Sequence, residues 1–188
     1  MAAKRITPKR STSTTSAAKK PGQGKAGQKP DGLAPGAKVG TKAPPFTLLR
    51  DGGGSVSLAD FAGHKLVLYF YPRADTPGCT TEAIDFSRLE SAFRKADTQV
   101  VGVSADPVPA QDKFKAKHKL AVTLASDEKH RMLEAYGVWQ EKSLYGRKFM
   151  GIVRTTLLIG PDQRIARVWP KVSVAGHAEE VLAAAKEL

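Results

Sequence analysis

The chain has 188 residues, with 30 Lys and Arg against 18 Asp and Glu, a net charge of +12, and one cysteine. That length holds one ordinary domain with residues to spare, and a lone cysteine excludes an intrachain disulfide framework. No stretch has the apolar core of a secretory signal or the length to cross a bilayer, so the expectation is a reducing intracellular compartment.

Residues 1–41 differ in character from the rest. They hold nine Lys and Arg, among them Lys4-Arg5, Lys9-Arg10 and Lys19-Lys20, against one acid, Asp31. Ser, Thr, Gly, Pro and Ala fill the spaces without apolar periodicity. Such a segment buries too little surface to offset ordering entropy, and it reads as a disordered basic tail. Basic arms bind polyanions, but no aromatic residue is interleaved here to stack bases. Any nucleic-acid binding is expected to be weak, salt-sensitive and blind to sequence. A solubilising extension or a targeting segment fits the same composition.

Residues 42–188 have the length of one domain. Phe46-Thr47-Leu48-Leu49 and Val56-Ser57-Leu58 flank Asp51-Gly52-Gly53-Gly54, which predicts an N-terminal β-hairpin. Leu66 to Tyr71 is an unbroken apolar run, as for a strand covered on both faces. Thr76 then offers an N-cap and Pro77 the first position of a helix expected over about 77 to 95. Cys79, Ala83, Phe86 and Phe93 fall close to one face of it, turned inward. A strand at Gln99–Val103, a helix near 108 to 118 and a helix from Asp127 to about Tyr136 follow. Trp139 to Met150 lacks clear periodicity and reads as a loop. Thr155–Ile159 and Arg164–Trp169 pair around Gly160-Pro161-Asp162-Gln163 as a second hairpin, and a final helix runs over about 175 to 187.

Cys79 is the residue on which function turns. Free cysteine is usually a small buried hydrophobe. Here it falls in the first turn of a helix, where unpaired N–H groups and the helix dipole favour a thiolate, and Gly78 leaves space beside it. Packing, metal ligation and nucleophilic chemistry all stay open on that basis. The four histidines, His64, His118, His130 and His177, show no metal-ligand spacing, and each reads as an ordinary surface or loop residue. No residue set favours a Cys–His hydrolase.

The run Pro72-x-x-x-Thr76-x-x-Cys79, set in Tyr-Phe-Tyr-Pro…Thr-Pro-Gly-Cys-Thr-Thr-Glu, resembles the active-site signature of peroxiredoxins. It is most similar to the bacterioferritin comigratory protein type, also called peroxiredoxin Q. Gly102-Val103-Ser104-Ala105-Asp106 and Gly151-Ile152-Val153-Arg154-Thr155-Thr156-Leu157 match the same family in the same order. The resemblance covers about residues 40 to 188. It implies a thioredoxin-like α/β fold in its peroxiredoxin elaboration, with a mixed central sheet flanked by helices. It implies a thiol peroxidase for hydrogen peroxide and organic hydroperoxides, with no metal or other cofactor.

The resemblance also assigns roles. Cys79 is the nucleophile that becomes a sulfenic acid, Thr76 and Pro72 shape the pocket, and Arg154 holds sulfur and peroxide together, with Glu82 orienting Arg154. Without it, Thr76 reads as a helix cap, Pro72 as a strand terminator, Arg154 as a solvent-facing strand residue and Glu82 as a first-turn acid. Many relatives carry a second, resolving cysteine five residues after the first or in the next helix. Here those places hold Ile84 and Lys115. The expectation is therefore a one-cysteine variant recycled by an external thiol, thioredoxin or glutathione with glutaredoxin. It would be cytoplasmic (nuclear in a eukaryote), a monomer or homodimer. The rival reading is a basic-tailed nucleic-acid-binding or chaperone module with a structural cysteine.

Overall fold

The computed structural model describes residues 37–188, and the expected disordered tail falls outside them except for its last five residues. Those five belong to the folded unit. Ala37 is fully buried, Gly40 N–H donates to the Ile165 carbonyl at 2.8 Å, and Ile165 N–H returns a bond to Thr41 at 2.9 Å.

Among the described residues nine strands and five helices follow in chain order. β1 (Thr47–Arg50) and β2 (Ser55–Ser57) form the expected hairpin, closed by a 3₁₀ turn at Leu58–Phe61. β3 (Lys65–Phe70) leads into α1 (Pro77–Arg88) and α2 (Glu90–Lys95). β4 (Thr98–Ser104), α3 (Val108–His118), β5 (Thr123–Ser126) and α4 (Arg131–Ala135) come next. β6 (Trp139–Leu144), β7 (Arg147–Ile152), β8 (Thr155–Ile159), β9 (Ile165–Pro170) and α5 (His177–Glu187) complete the chain.

Seven strands make one mixed sheet in the order β2-β1-β5-β4-β3-β8-β9. β3 pairs in parallel with β4 and antiparallel with β8, in the register Leu66↔Ile159 to Phe70↔Thr155. Its apolar run is central because alternate residues feed two cores. Leu66, Leu68 and Phe70 pack with Phe61, Leu133 and Tyr136 on one face. Val67, Tyr69 and Tyr71 pack with Cys79, Phe86 and Phe93 on the other. Gly102 on β4 permits this second layer, since a Cβ there would overlap the Tyr69 ring. Tyr69 in turn stacks on Phe86, with ring centroids 4.7 Å apart, and so fixes α1 over the sheet.

Three expectations are corrected. The helix over 77 to 95 is two helices, interrupted at Leu89, whose carbonyl accepts from the Ala92 and Phe93 amides. No Gly or Pro marks that break, so periodicity alone runs through it. The loop expected over Trp139 to Met150 is the hairpin β6–β7, in register from Trp139↔Ile152 to Leu144↔Arg147. Its turn places Tyr145 and Gly146 at φ 49 and 75, the two left-handed positions of a tight hairpin. β7 is exposed from Arg147 to Met150, so no apolar alternation marks it as a strand. His177 is the third: it is buried at the start of α5 rather than lying at the surface.

Candidate active site

The first turn of α1 presents Cys79. Thr76 takes the N-cap position in extended conformation, and its carbonyl accepts the first helical bond, from Thr80 N–H at 2.8 Å. The Gly78 and Cys79 amides precede that bond and have no acceptor in the helical ladder, which leaves the positive end of the helix at the sulfur. The Thr76 hydroxyl does not cap. It donates to the Arg73 carbonyl at 3.0 Å, across the turn that precedes the helix. Pro72 is exposed, two residues past the end of β3.

The strand-to-helix loop is tied from α3 and the end of β4. Asp75 sits at φ 57 with its carboxylate held by Lys117 and His118, each at 2.7 Å. Hydrogen bonds from Lys117 and then His118 hold the Asp75 pKa below its ordinary value. Ala74 N–H donates to Asp106 at 2.7 Å, Asp106 accepts from Ser104 at 2.8 Å, and Gln111 joins Ser104 to the Tyr71 hydroxyl. The Ser104-Ala105-Asp106 match thus acts as the loop's anchor. Asp75 and Gln111 carry no motif that would single them out in advance.

Arg154 comes from the two-residue link between β7 and β8, outside either strand. Its Nη2 donates to Cys79 Sγ at 3.3 Å and its Nη1 to Glu82, 72 residues away in sequence. Cys79 and Glu82 are each 1% exposed. One oxygen of Glu82 is held by Arg154, while the other is buried without a partner among the described residues. Burial outweighs the pull of Arg154 and pushes the Glu82 carboxyl up to about 7. Burial works against the Arg154 charge too, but Glu82 and Cys79 outweigh it and raise its pKa. Cys79, Glu82 and Arg154 therefore meet as the resemblance implies, with Thr76 one turn away and Pro72 at the loop's outer side.

His177 lies behind this group. Its Nε2 is 2.8 Å from the Thr156 hydroxyl, and its ring meets Phe86 and Trp169 edge-on. Burial, chiefly, lowers its pKa. Ile84 points outward on α1, half-exposed, and Lys115 binds Asp51 at 2.6 Å and the Val122 carbonyl at 3.0 Å. Neither position approaches the sulfur with a second thiol. Cys79 is the chain's one cysteine.

An arginine on a thiol at the start of a helix is an arrangement for thiol chemistry, and comparison with known proteins shows the family that carries it here. The AhpC/TSA family pattern matches residues 39–168. The chain belongs to that family. Peroxiredoxin Bcp of Bacillus subtilis is 42% identical over 151 residues, spanning 80% of this chain and 96% of the relative. Peroxiredoxin Bcp of Xanthomonas campestris is 47% identical over 139 residues, spanning 74% and 87%. A solved peroxiredoxin Q of Xanthomonas campestris aligns with a TM-score of 0.73 at 45% identity, over 76% of this chain and 90% of that one. A Xylella fastidiosa homologue gives 0.76 at 38% identity, over 80% and 96%. The branch is peroxiredoxin Bcp/Q, the fold is thioredoxin-like, and the activity is that of a thiol peroxidase. No helix among the described residues is long and apolar enough to cross a membrane.

Proposed function

We propose that this peroxiredoxin runs a one-cysteine cycle on Cys79. The observation that supports it best is Arg154 Nη2 at 3.3 Å from Cys79 Sγ in a chain with no other sulfhydryl. The Cys79 thiolate attacks one oxygen of a hydroperoxide, the O–O bond breaks, and hydroxide or alkoxide leaves and takes up a proton. Cys79 becomes a sulfenic acid. Arg154 bridges sulfur and polarised peroxide and stabilises charge moving onto the leaving oxygen. Glu82 orients Arg154, while Thr76 and Pro72 shape the entrance.

An external thiol then attacks the sulfenic sulfur, releasing water, and a second thiol frees Cys79 as the other forms a disulfide. Thioredoxin or glutathione with glutaredoxin fits this step, since Ile84 and Lys115 occupy the places where relatives keep a resolving thiol. Hydrogen peroxide and organic hydroperoxides are the substrates. A Xanthomonas campestris bacterioferritin comigratory protein has been studied for alkyl peroxide reduction, which supports the organic class. The cycle needs no metal or cofactor and belongs in the cytoplasm, with the chain as monomer or homodimer and the basic segment before residue 37 as an appendage.

The test is intact-protein mass after one equivalent of hydrogen peroxide with dimedone. One adduct on Cys79, absent in Cys79→Ser and slowed in Arg154→Ala, is expected. A thiol left free at low peroxide would defeat the reading, and a covalent dimer would point to an intersubunit disulfide. Prolonged excess peroxide without reductant should convert Cys79 to sulfinic acid and end activity.

A further inference from the structure

Cys79 starts a helix that its own cap residue does not hold. Thr76 occupies the N-cap position with no side-chain bond to the first turn, its hydroxyl being engaged by the Arg73 carbonyl. Arg154 approaches that turn from the link between β7 and β8. Its Nη2 lies 3.3 Å from Cys79 Sγ and 3.4 Å from where a Cβ on Gly78 would stand. The spacing of sulfur and guanidinium therefore depends on what fixes the start of α1 from outside.

The hold comes from α3, through the residue before the cap. Asp75 turns the chain at φ 57, a left-handed position that a short acidic side chain tolerates. Lys117 Nζ reaches both of its carboxylate oxygens, at 3.0 and 2.7 Å, and His118 Nε2 lies 2.7 Å from one of them. This clasp runs into the core. The His118 ring meets the buried Phe114 edge-on at 5.4 Å, and the Phe114 ring lies 6.2 Å from that of Tyr71, at the other end of the loop. Tyr71 is also bonded to Gln111 of α3. On its far side α3 is tied to the β1–β2 turn. Asp112 accepts from the Gly52 amide at 2.8 Å, and Lys115 binds Asp51 at 2.6 Å. A strut thus runs from the β1–β2 turn through α3 to the turn that launches Cys79.

We propose that Asp75 is a positioning residue: clasped by Lys117 and His118, it fixes the first turn of α1 so that the Cys79 sulfur stays at bonding distance from Arg154 during attack on peroxide. The inference rests on Cys79 as nucleophile and gives α3 a part in its reaction.

The test compares the rate of Cys79 oxidation by hydrogen peroxide with its rate of alkylation by iodoacetamide, in the full chain. Both reagents need the thiolate, so its population cancels in the ratio, and only peroxide needs Arg154 at the leaving oxygen. In Asp75→Gly, which keeps the left-handed turn but loses the clasp, the peroxide-to-iodoacetamide ratio should fall about three- to thirtyfold. Lys117→Met with His118→Phe, which removes both donors and keeps a ring against Phe114, should give the same fall. Adding Asp75→Gly to that pair should change nothing more, because all three residues act through one contact. Lys117→Arg should keep the wild-type ratio. An unchanged ratio in both Asp75→Gly and the α3 pair overturns the proposal. So does a fall in Asp75→Gly with the α3 pair at the wild-type ratio, which would assign the effect to the turn's backbone alone. If Asp75→Gly does not fold, the α3 pair and Lys117→Arg carry the same comparison. A wild-type Cys79 that takes up no dimedone would defeat the one-cysteine reading, whereas an unchanged ratio in the variants of a reactive wild type defeats this inference alone.

Discussion

The two flanks of Cys79 are built on opposite principles. On one side α1 lies against β3 through a dry layer in which Tyr69, Phe86 and Phe93 are fully buried. On the other, the β6–β7 hairpin stands outside the seven-stranded sheet, with Tyr145 96% exposed and Phe149 and Met150 about half-exposed. The packed flank fixes where the sulfur is. The open flank leads into Arg154, whose Nη2 reaches the sulfur at 3.3 Å. Placement of the sulfur and supply of the charge beside it are thus divided between two elements.

Substitutions that treat the flanks alike can break that contrast. Phe86→Ala should cost about 3–5 kcal/mol by opening a cavity beneath α1, read by urea unfolding. Arg154→Ala should lower peroxide turnover about 10²- to 10³-fold, since it removes the donor aimed at sulfur and leaving oxygen. A steady-state assay with hydrogen peroxide checks it, and a loss under tenfold would weaken the charge argument.

Acidity probes the packed flank more finely. Glu82 has its folded value at about 7, above its ordinary 4.5. Between those values the folded state keeps a proton that the unfolded chain has released. Its stabilising contribution is therefore full below about pH 4.5 and is lost as pH rises through about 7, a swing of about 3 kcal/mol. Unfolding midpoints across that window should fall with rising pH in the wild type and flatten in Glu82→Gln. The smallest effect belongs to the open flank. Phe149→Ser should change stability by less than about 0.5 kcal/mol, because the side chain it removes is half in water already.

The same contrast governs what the sequence discloses. β3 and α1 are legible because burial writes a pattern: an apolar run from Leu66 to Tyr71, then Thr76-Pro77 and an inward face carrying Cys79, Ala83 and Phe86. The β6–β7 hairpin buries little, so its residues carry no alternation, and the two-residue turn at Tyr145-Gly146 is the one local sign of it. The interruption at Leu89 leaves no mark because no residue type there opposes a helix. The burial of His177 follows from where α5 lands on β8, a tertiary outcome that local periodicity cannot register. Arg154 meets Cys79 across 75 residues through the β3–β8 pairing, so no spacing rule could join them; the motif resemblance did.

The near-complete burial of Cys79 sets a clock as well as a place. With the sulfur 1% exposed, even a small peroxide needs the first helical turn to give a little before it can attack. In the proposed cycle a thiol borne on a larger carrier has to come in line with the sulfur–oxygen bond of Cys79, and that would demand a wider opening than a peroxide needs. The two halves of the proposed cycle would then ask for openings of different width at the same buried sulfur. The wider one would set the pace of the proposed cycle and the lifetime of the sulfenic acid.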